Sequence, residues 1–296
     1  VSRSAPYGFL APAMVLFTAT LALPILYSLY LSLRGVQVQG LGLGPGARQE
    51  VWVGLSNYRQ SLSDPAFVHS VVRVVGYGVL LVPTMLGLAL LFALLLDSRR
   101  SRGGGFARTA IFLPYAVPAV IASLLWGFLY LPDVSPVTDV LHGLGLPAPQ
   151  LLSSRLVLFA VANIALWGGV GFNMVVLYTS LRAIPTELYE AARLDGAGEV
   201  SIAVRIKVPI VLPSLVMTLI FSLIATVQVF AEPTTLRPLT NNISTTWTPL
   251  MAVYRDAFTR DDIYSASATS VVIAAVTLVF SFGVLRAVGR RAFAER

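Results

Sequence analysis

Cysteine is absent from this 296-residue chain, which excludes disulfides, thiolate metal sites and cysteine nucleophiles. Charge is scarce as well: Asp, Glu, Lys and Arg make up 12% of residues, against about 25% in soluble domains. Hydrophobic residues reach 56%. The shortage of charge is also uneven. The runs 7–33, 74–96, 109–131, 156–181, 210–231 and 265–285 contain no Asp, Glu, Lys, Arg or His. Each is long enough to cross a hydrocarbon core of about 30 Å as a helix. The fold class expected is an all-α integral membrane protein with six transmembrane helices.

These absences also limit the chemistry. Carriers driven by proton or ion gradients commonly use ionisable groups inside the membrane, and the six runs have none. A nucleotide-hydrolysing loop needs G-x-x-x-x-G-K-[ST], but the single lysine, Lys207, is followed by Val208. Energy must come from another subunit, or the protein is passive. The two histidines, His69 and His142, lie outside metal-ligand spacing, and no HExxH or G-x-S-x-G pattern occurs. The chain does not read as an enzyme, and no metal or catalytic residue is assigned.

In chain order, the first run exceeds the ~7–15-residue core of a signal peptide and reads as a retained span bent near Pro24. A loop follows to about Phe67, with a glycine-rich part (40–46) and GLSNYRQSLSDPAF (54–67). The second run ends at Arg99, Arg100 and Arg102 with Gly103–Gly105, and Pro114 and Pro118 predict bends in the third. Loops are expected over 132–155 and 232–262. The divisions expected are 1–73 (first span and outer loop), 74–289 (five-span core) and 290–296 (tail).

Orientation follows from arginine. With the N-terminus cytoplasmic, the inner side carries 13 basic and six acidic residues and the outer side eight of each. The positive-inside rule then places both termini in the cytoplasm of a multi-pass cell-membrane protein. The net charge of +7 thus reads as a topology signal rather than a nucleic-acid one.

Between the fourth and fifth runs lies IPTELYEAARLDGAGEVSIAVRIKVP, Ile184 to Pro209. It holds Glu187, Glu190, Asp195, Glu199, Arg193, Arg205 and Lys207, too many ions for hydrocarbon, where each costs roughly 2.5–3.5 kcal/mol on insertion scales. Its residues still favour a helix. Thr186 can cap one with Glu187 in the first turn, Ala191, Ala192 and Leu194 are strong formers, and Gly196 and Gly198 stop it. A second helical piece runs from about Glu199 to Pro209 into the next run.

Glu190-Ala191-Ala192, three residues, Gly196, nine residues, Ile206, one residue, Val208-Pro209 resembles the EAA loop of ABC importer permeases, with Val208 where the pattern has Leu. The resemblance implies a type I importer fold. It also implies that Glu187, Leu188, Tyr189, Glu190, Ala191, Ala192, Arg193, Leu194, Asp195, Gly196 and Ala197 form a cytoplasmic coupling helix docking into an ATPase.

Candidates to line a pathway are neutral or aromatic: Asn163, Trp167, Asn173 and Tyr178 in the fourth run, with WGGVGFN (167–173) between them, then Gln228 and Phe230, with Glu232 at the outer end of the fifth. Amides exchange hydrogen bonds with hydroxyls, and rings cover the apolar face of a sugar. A charged solute would want an ion partner, so a neutral, hydroxyl-rich one is favoured. Amides in membrane helices serve equally as interhelical ties, and glycine permits close approach. The glycines at 168, 169 and 171 could also unwind the helix.

YGFLAPAMVLFTATLALPILYSLYLSLRG, GLSNYRQSLSDPAF and TPLMAVYRDAF (248–258) extend the likeness to permeases of the maltose and glycerol-3-phosphate type. Three departures stand out. Arg73-Val74 replaces Asn-Thr, RPLTNNIS (237–244) replaces Thr-Gly-Gly-Gly-Pro, and Val200 and Ile202 replace the aromatics after the EAA helix. The resemblance implies a permease subunit of a binding-protein-dependent sugar importer working by alternating access. Its partners would be a second homologous permease, two cytoplasmic ATPase subunits carrying ATP and Mg, and an extracytoplasmic solute-binding protein. No cofactor would be bound by this chain. A passive facilitator without an ATPase and a membrane scaffold are the readings from other classes.

Overall fold

The computed structural model describes residues 5–38, 48–98 and 103–293. Expectations that fall on 40–46, on Arg99, Arg100 and Arg102, and on Arg3 and Arg296 lie outside the described residues. Helices dominate. The first apolar run comprises α1 (Ala5–Phe17) and α2 (Leu23–Ser32), joined by a π-helical turn at Thr18–Ala22. Pro24 accounts for that turn. It has no N–H to give the Thr20 carbonyl, so the ladder changes register just before it, and the Leu23 N–H bonds the Thr18 carbonyl instead.

An antiparallel pair follows, β1 (Arg34–Val38) and β2 (Arg48–Trp52), with Arg34 opposite Trp52 and Val38 opposite Arg48. Among the described residues it is the one addition to the helical expectation. Next come α3 (Ser56–Ser63) and α4 (Pro65–Leu96), so most of 54–67 is helix rather than loop. Pro65 opens α4, and the Asp64 Oδ1 accepts the Ala66 N–H at 2.9 Å. The helix therefore starts well before the apolar run that signals its membrane part.

The third run is not one straight span. It forms α5 (Gly104–Phe112), a 3-10 turn at Leu113–Ala116 and α6 (Ala119–Tyr130), with a 98° bend. Val117 is extended at φ −80° and ψ 125° because the Pro118 ring crowds a helical residue before it. The region 132–155 contains α7 (Pro136–Gly143), where the Ser135 hydroxyl accepts the Thr138 N–H. Then come α8 (Val157–Arg182), α9 (Thr186–Leu194), α10 (Glu199–Ile202), a π-helical turn at Ala203–Lys207 and α11 (Val208–Val227).

The expected polar loop over 232–262 is also largely helical. It holds α12 (Ala231–Leu236), a 3-10 turn at Arg237–Leu239, α13 (Pro249–Tyr254) and a π-helical turn at Arg255–Thr259. The last helix, α14 (Ile263–Phe293), runs beyond the expected end at Leu285. Among the described residues five helices are long and apolar enough to cross a membrane, and the bent pair makes six when taken as one span.

The chain forms two compact units. The first comprises Val1–Ser70 and Pro249–Val276, and polar ties hold it together. The Asn57 amide donates to the carbonyls of Ser32 and Arg34 at 2.8 and 2.7 Å, fastening α3 to the end of α2 and the start of β1. The Tyr264 hydroxyl donates to Glu50 at 2.7 Å, and the hydroxyls of Ser61 and Thr269 meet at 2.9 Å. Arg255 lies 2.7 Å from Asp256 and 4.0 Å from Asp64.

The second unit, Val71–Thr248 with Thr277–Arg296, holds an apolar core of Ala89, Ala93, Met174, Leu177, Leu181, Ile184, Tyr189, Ile202 and Val211. This core joins α4, α8 and α11 to α9. Arg73, one of the departures noted above, is fixed inside this unit: it donates to the Trp247 carbonyl at 2.8 Å and lies 5.3 Å over that residue's ring.

Candidate functional site

Two helix interruptions frame a cleft of about 750 Å³ in the second unit. One is the Pro118 break, which contributes Pro114, Tyr115, Val117, Pro118, Ala119 and Ala122. The other is in the fifth apolar run. Pro233 has no N–H for the Val229 carbonyl and its ring would clash there, so α11 stops at Val227. Gln228, Val229 and Phe230 form the gap, and Phe230 takes φ −146° and ψ −50°. Interrupted helices recur where membrane proteins bind solutes, because irregular backbone is tolerated beside a polar cavity.

The other walls are regular. α4 supplies Tyr77, Leu81 and Met85, and α8 supplies Ile164, Ala165, Gly168, Gly169, Phe172 and Asn173. The glycine-rich section does not unwind, since α8 is continuous. Its glycines serve contact instead. A Cβ at Gly169 would meet the Met85 sulfur at 2.8 Å, whereas at Gly168 it would meet nothing within 4 Å.

Four of the residues expected to face solute line this cleft: Asn173, Gln228, Phe230 and Glu232. Asn173 is 4% exposed and donates to the Gly169 carbonyl at 3.0 Å, while its Oδ1 is buried with no hydrogen-bond partner. Such an acceptor costs about 1–3 kcal/mol unless something donates to it. Tyr115 and Phe172 stack with centroids 5.0 Å apart, giving the lining an aromatic face. Glu232 is its one charged side chain among the described residues.

The other three are placed elsewhere. Asn163 donates to the Tyr130 hydroxyl at 2.9 Å, which donates to the Ala160 carbonyl at 3.0 Å. The Trp167 ring meets Trp126 edge-on at 6.0 Å, and Tyr178 lies 5.6 Å under the Arg108 guanidinium. Asn163 and Trp167 share the α8 face that packs on α6, so they tie helices together. Tyr115, Phe172 and Tyr77 were not singled out in the sequence, where an aromatic lining a cleft has the same signature as one in the core.

The second candidate feature is α9 and its seat. Pro185 rather than Thr186 occupies the cap position, and no side chain caps the helix: Thr186 is already its first residue. The C-terminal end follows expectation. Gly196 adopts φ 82°, its N–H bonds the Arg193 carbonyl, and the Ala197 N–H bonds that of Ala192 at 2.9 Å.

Exposure divides the expected docking residues. Glu187, Leu188, Glu190, Ala191, Leu194, Asp195 and Gly196 are exposed, and Leu194 reaches 89%. Ala192, Arg193 and Ala197 are half-buried, and Tyr189 points into the core. Burial, with Asp97 nearby, pushes the Tyr189 phenol above its ordinary pKa, so it stays neutral. Of the two departures after this helix, Val200 is 78% exposed and Ile202 fully buried, so Ile202 belongs to packing.

Below Tyr189, Lys207 is 2.6 Å from Asp97, and its Nζ is 4.8 Å from the centre of the Tyr189 ring.

Residues 85–293 match the family described as "binding-protein-dependent transport system inner membrane component". The probable ABC transporter permease protein YurN of Bacillus subtilis is 31% identical over 286 residues, 93% of each chain. The diacetylchitobiose uptake system permease protein NgcF of Streptomyces coelicolor is 32% identical over 242 residues, 78% of this chain and 69% of that one. The sn-glycerol-3-phosphate transport system permease protein UgpA of Escherichia coli O157:H7 is 28% identical, covering 95% and 92%. Among solved structures, a chain of a bacterial ABC transporter that imports the acidic polysaccharide alginate shares the fold. Its TM-score is 0.82 at 22% identity, over 96% of this chain and 94% of that one.

Proposed function

The chain belongs to the binding-protein-dependent transport system inner membrane components, and on that premise we propose that it helps to form the pathway for a neutral, hydroxyl-rich solute in an ATP-driven sugar importer. The observation that carries the reading is the buried, unpartnered Asn173 Oδ1 in a cleft between two helix breaks. A sugar hydroxyl can donate to it, the Gln228 amide can serve a second hydroxyl, and Tyr115, Phe172 and Phe230 offer rings to the apolar face of the sugar. No Lys, Arg or His lines the cleft among the described residues, and its one charge is the acid Glu232. A phosphate or uronate would meet no cation there. An uncharged oligosaccharide such as that named for NgcF suits this lining better than glycerol 3-phosphate or alginate.

The remaining parts of the machine lie outside this chain. The exposed face of α9 (Glu187, Leu188, Glu190, Ala191, Leu194 and Asp195) docks a cytoplasmic ATPase, which carries ATP and Mg. Two such ATPases, a second permease and a solute-binding protein complete the assembly. Both termini lie in the cytoplasm, since that orientation puts the whole basic surplus inside. Solute arrives from outside, ATP closes the ATPase dimer, and α9 passes that motion to the spans.

The test is co-expression of the tagged chain with its chromosomal neighbours, purification in mild detergent, and ATPase assays with a panel of neutral and anionic saccharides. Recovery of a second permease and an ATPase stimulated by a neutral sugar is expected. A chain recovered alone that passes sugar without ATP would make it a facilitator. Stimulation by uronates alone would overturn the solute class.

A further inference from the structure

Lys207 is the one lysine beside 20 arginines, and it is only 6% exposed. Its side chain and that of Asp97 are 7% and 5% exposed, so both charges have been taken out of water. Burying such a pair carries a desolvation penalty that its attraction roughly offsets, and an apolar pair of similar volume would hold the fold as well or better. What the pair adds is position. Asp97 directly follows α4. Lys207 ends the π-helical turn that leads into α11. The ammonium also lies against the ring of Tyr189, the one buried residue of α9. A compact ammonium fits a site bounded by one carboxylate and one ring better than the wide guanidinium fork does.

We propose that Lys207 is a positioning residue for energy coupling: through Asp97 and Tyr189 it locks the seat of α9 to the ends of α4 and α11, so that displacement of α9 reaches both spans together. The inference rests on the reading of α9 as the ATPase-docking helix. Ala93, Leu181, Ile184, Ile202 and Val211 pack into the same core as Tyr189 and hold the seat dry. The π-helical form of Ala203–Lys207 fits the role, since such turns inside α-helices are frequent at functional sites.

The test uses the assembled transporter in proteoliposomes with its binding protein, comparing Lys207→Met, Lys207→Arg and the neutral double variant Asp97→Asn/Lys207→Met. The readouts are solute taken up per ATP hydrolysed and the mobility of a nitroxide on Thr186→Cys, an exposed α9 position outside the docking face in a chain with no other cysteine. Lys207→Met should assemble and hydrolyse ATP, while uptake per ATP falls at least tenfold and the nitroxide becomes more mobile. Lys207→Arg should recover part of both. If Lys207→Met fails to assemble, the double variant, which leaves no unpaired buried charge, should show the same loss. Wild-type uptake per ATP and an unchanged nitroxide spectrum in either neutral variant would overturn the proposal. Glu190→Lys separates it from the reading beneath: an uncoupled Glu190→Lys beside a normal Lys207→Met sinks only the strut, whereas normal uptake by Glu190→Lys sinks the docking role itself.

Discussion

Gly171 of α8 lies directly on Phe112: a Cβ at this position would come within 2.7 Å of the Phe112 Cα and overlap the Ile111 carbonyl oxygen. Two backbones in contact leave no side chain to move aside. Gly171→Ala should therefore push α5 off α8 and destabilise the chain by about 1–3 kcal/mol, as overpacking does. Thermal unfolding in detergent measures it, with Gly168→Ala, which meets nothing within 4 Å, as the silent control.

Asn173→Ala removes the cleft's unpartnered acceptor without opening a large void. One hydrogen bond contributes about 0.5–1.5 kcal/mol net, or roughly two- to tenfold in affinity. Solute uptake should show a rise in KM of that size, and thermal stability should hold or improve. An unchanged KM would remove Asn173 from the solute path.

Pro118→Ala lifts the restriction on Val117 and lets α5 and α6 approach a continuous helix. Uptake should fall sharply while the protein remains in the membrane at normal abundance, because the elbow lines the cleft. Wild-type uptake would mean that the break is dispensable.

Neighbours on α9 should behave oppositely. Leu194 is 89% exposed and Tyr189 is 7% exposed. Leu194→Ala should leave thermal stability unchanged and weaken ATPase co-purification, an interface anchor being worth at least about 1 kcal/mol. Tyr189→Ala should cost about 3–5 kcal/mol in stability, as loss of a buried aromatic does. Equal effects on stability would contradict the division of the helix into an offered and a seated face.

Much of this fold is legible from where charge is missing. The run 156–181 predicts α8 within a residue, and Gly196 marks the end of α9 because only a left-handed residue closes that helix. Pro118 reads as a bend, but the size of the bend depends on what packs against each arm. The glycines of WGGVGFN were ambiguous between unwinding and close contact, and only the neighbouring Ile111 and Met85 decide for contact. Asn163 and Trp167, four residues apart, fall on one face of a helix and Asn173 on another, but spacing alone does not say which face meets the cleft. The Asp97–Lys207 pair joins residues 110 apart in the chain, and no local pattern announces such a partner.

The helical turn over 203–207 has an evolutionary consequence. A π-turn holds one more residue than the α-turn it replaces, so in an alignment it is an insertion that leaves no loop. Each helical residue turns the chain by about 100°. A residue inserted into a helix that stayed regular would swing everything before it by that angle, whereas the π-turn at Ala203–Lys207 absorbs its extra residue locally and keeps the helical pieces on either side in register. The composition of this stretch is thus more constrained than its length: a one-residue gap within 203–206 would restore an ordinary α-turn, whereas loss of Lys207 would leave Asp97 buried without its partner.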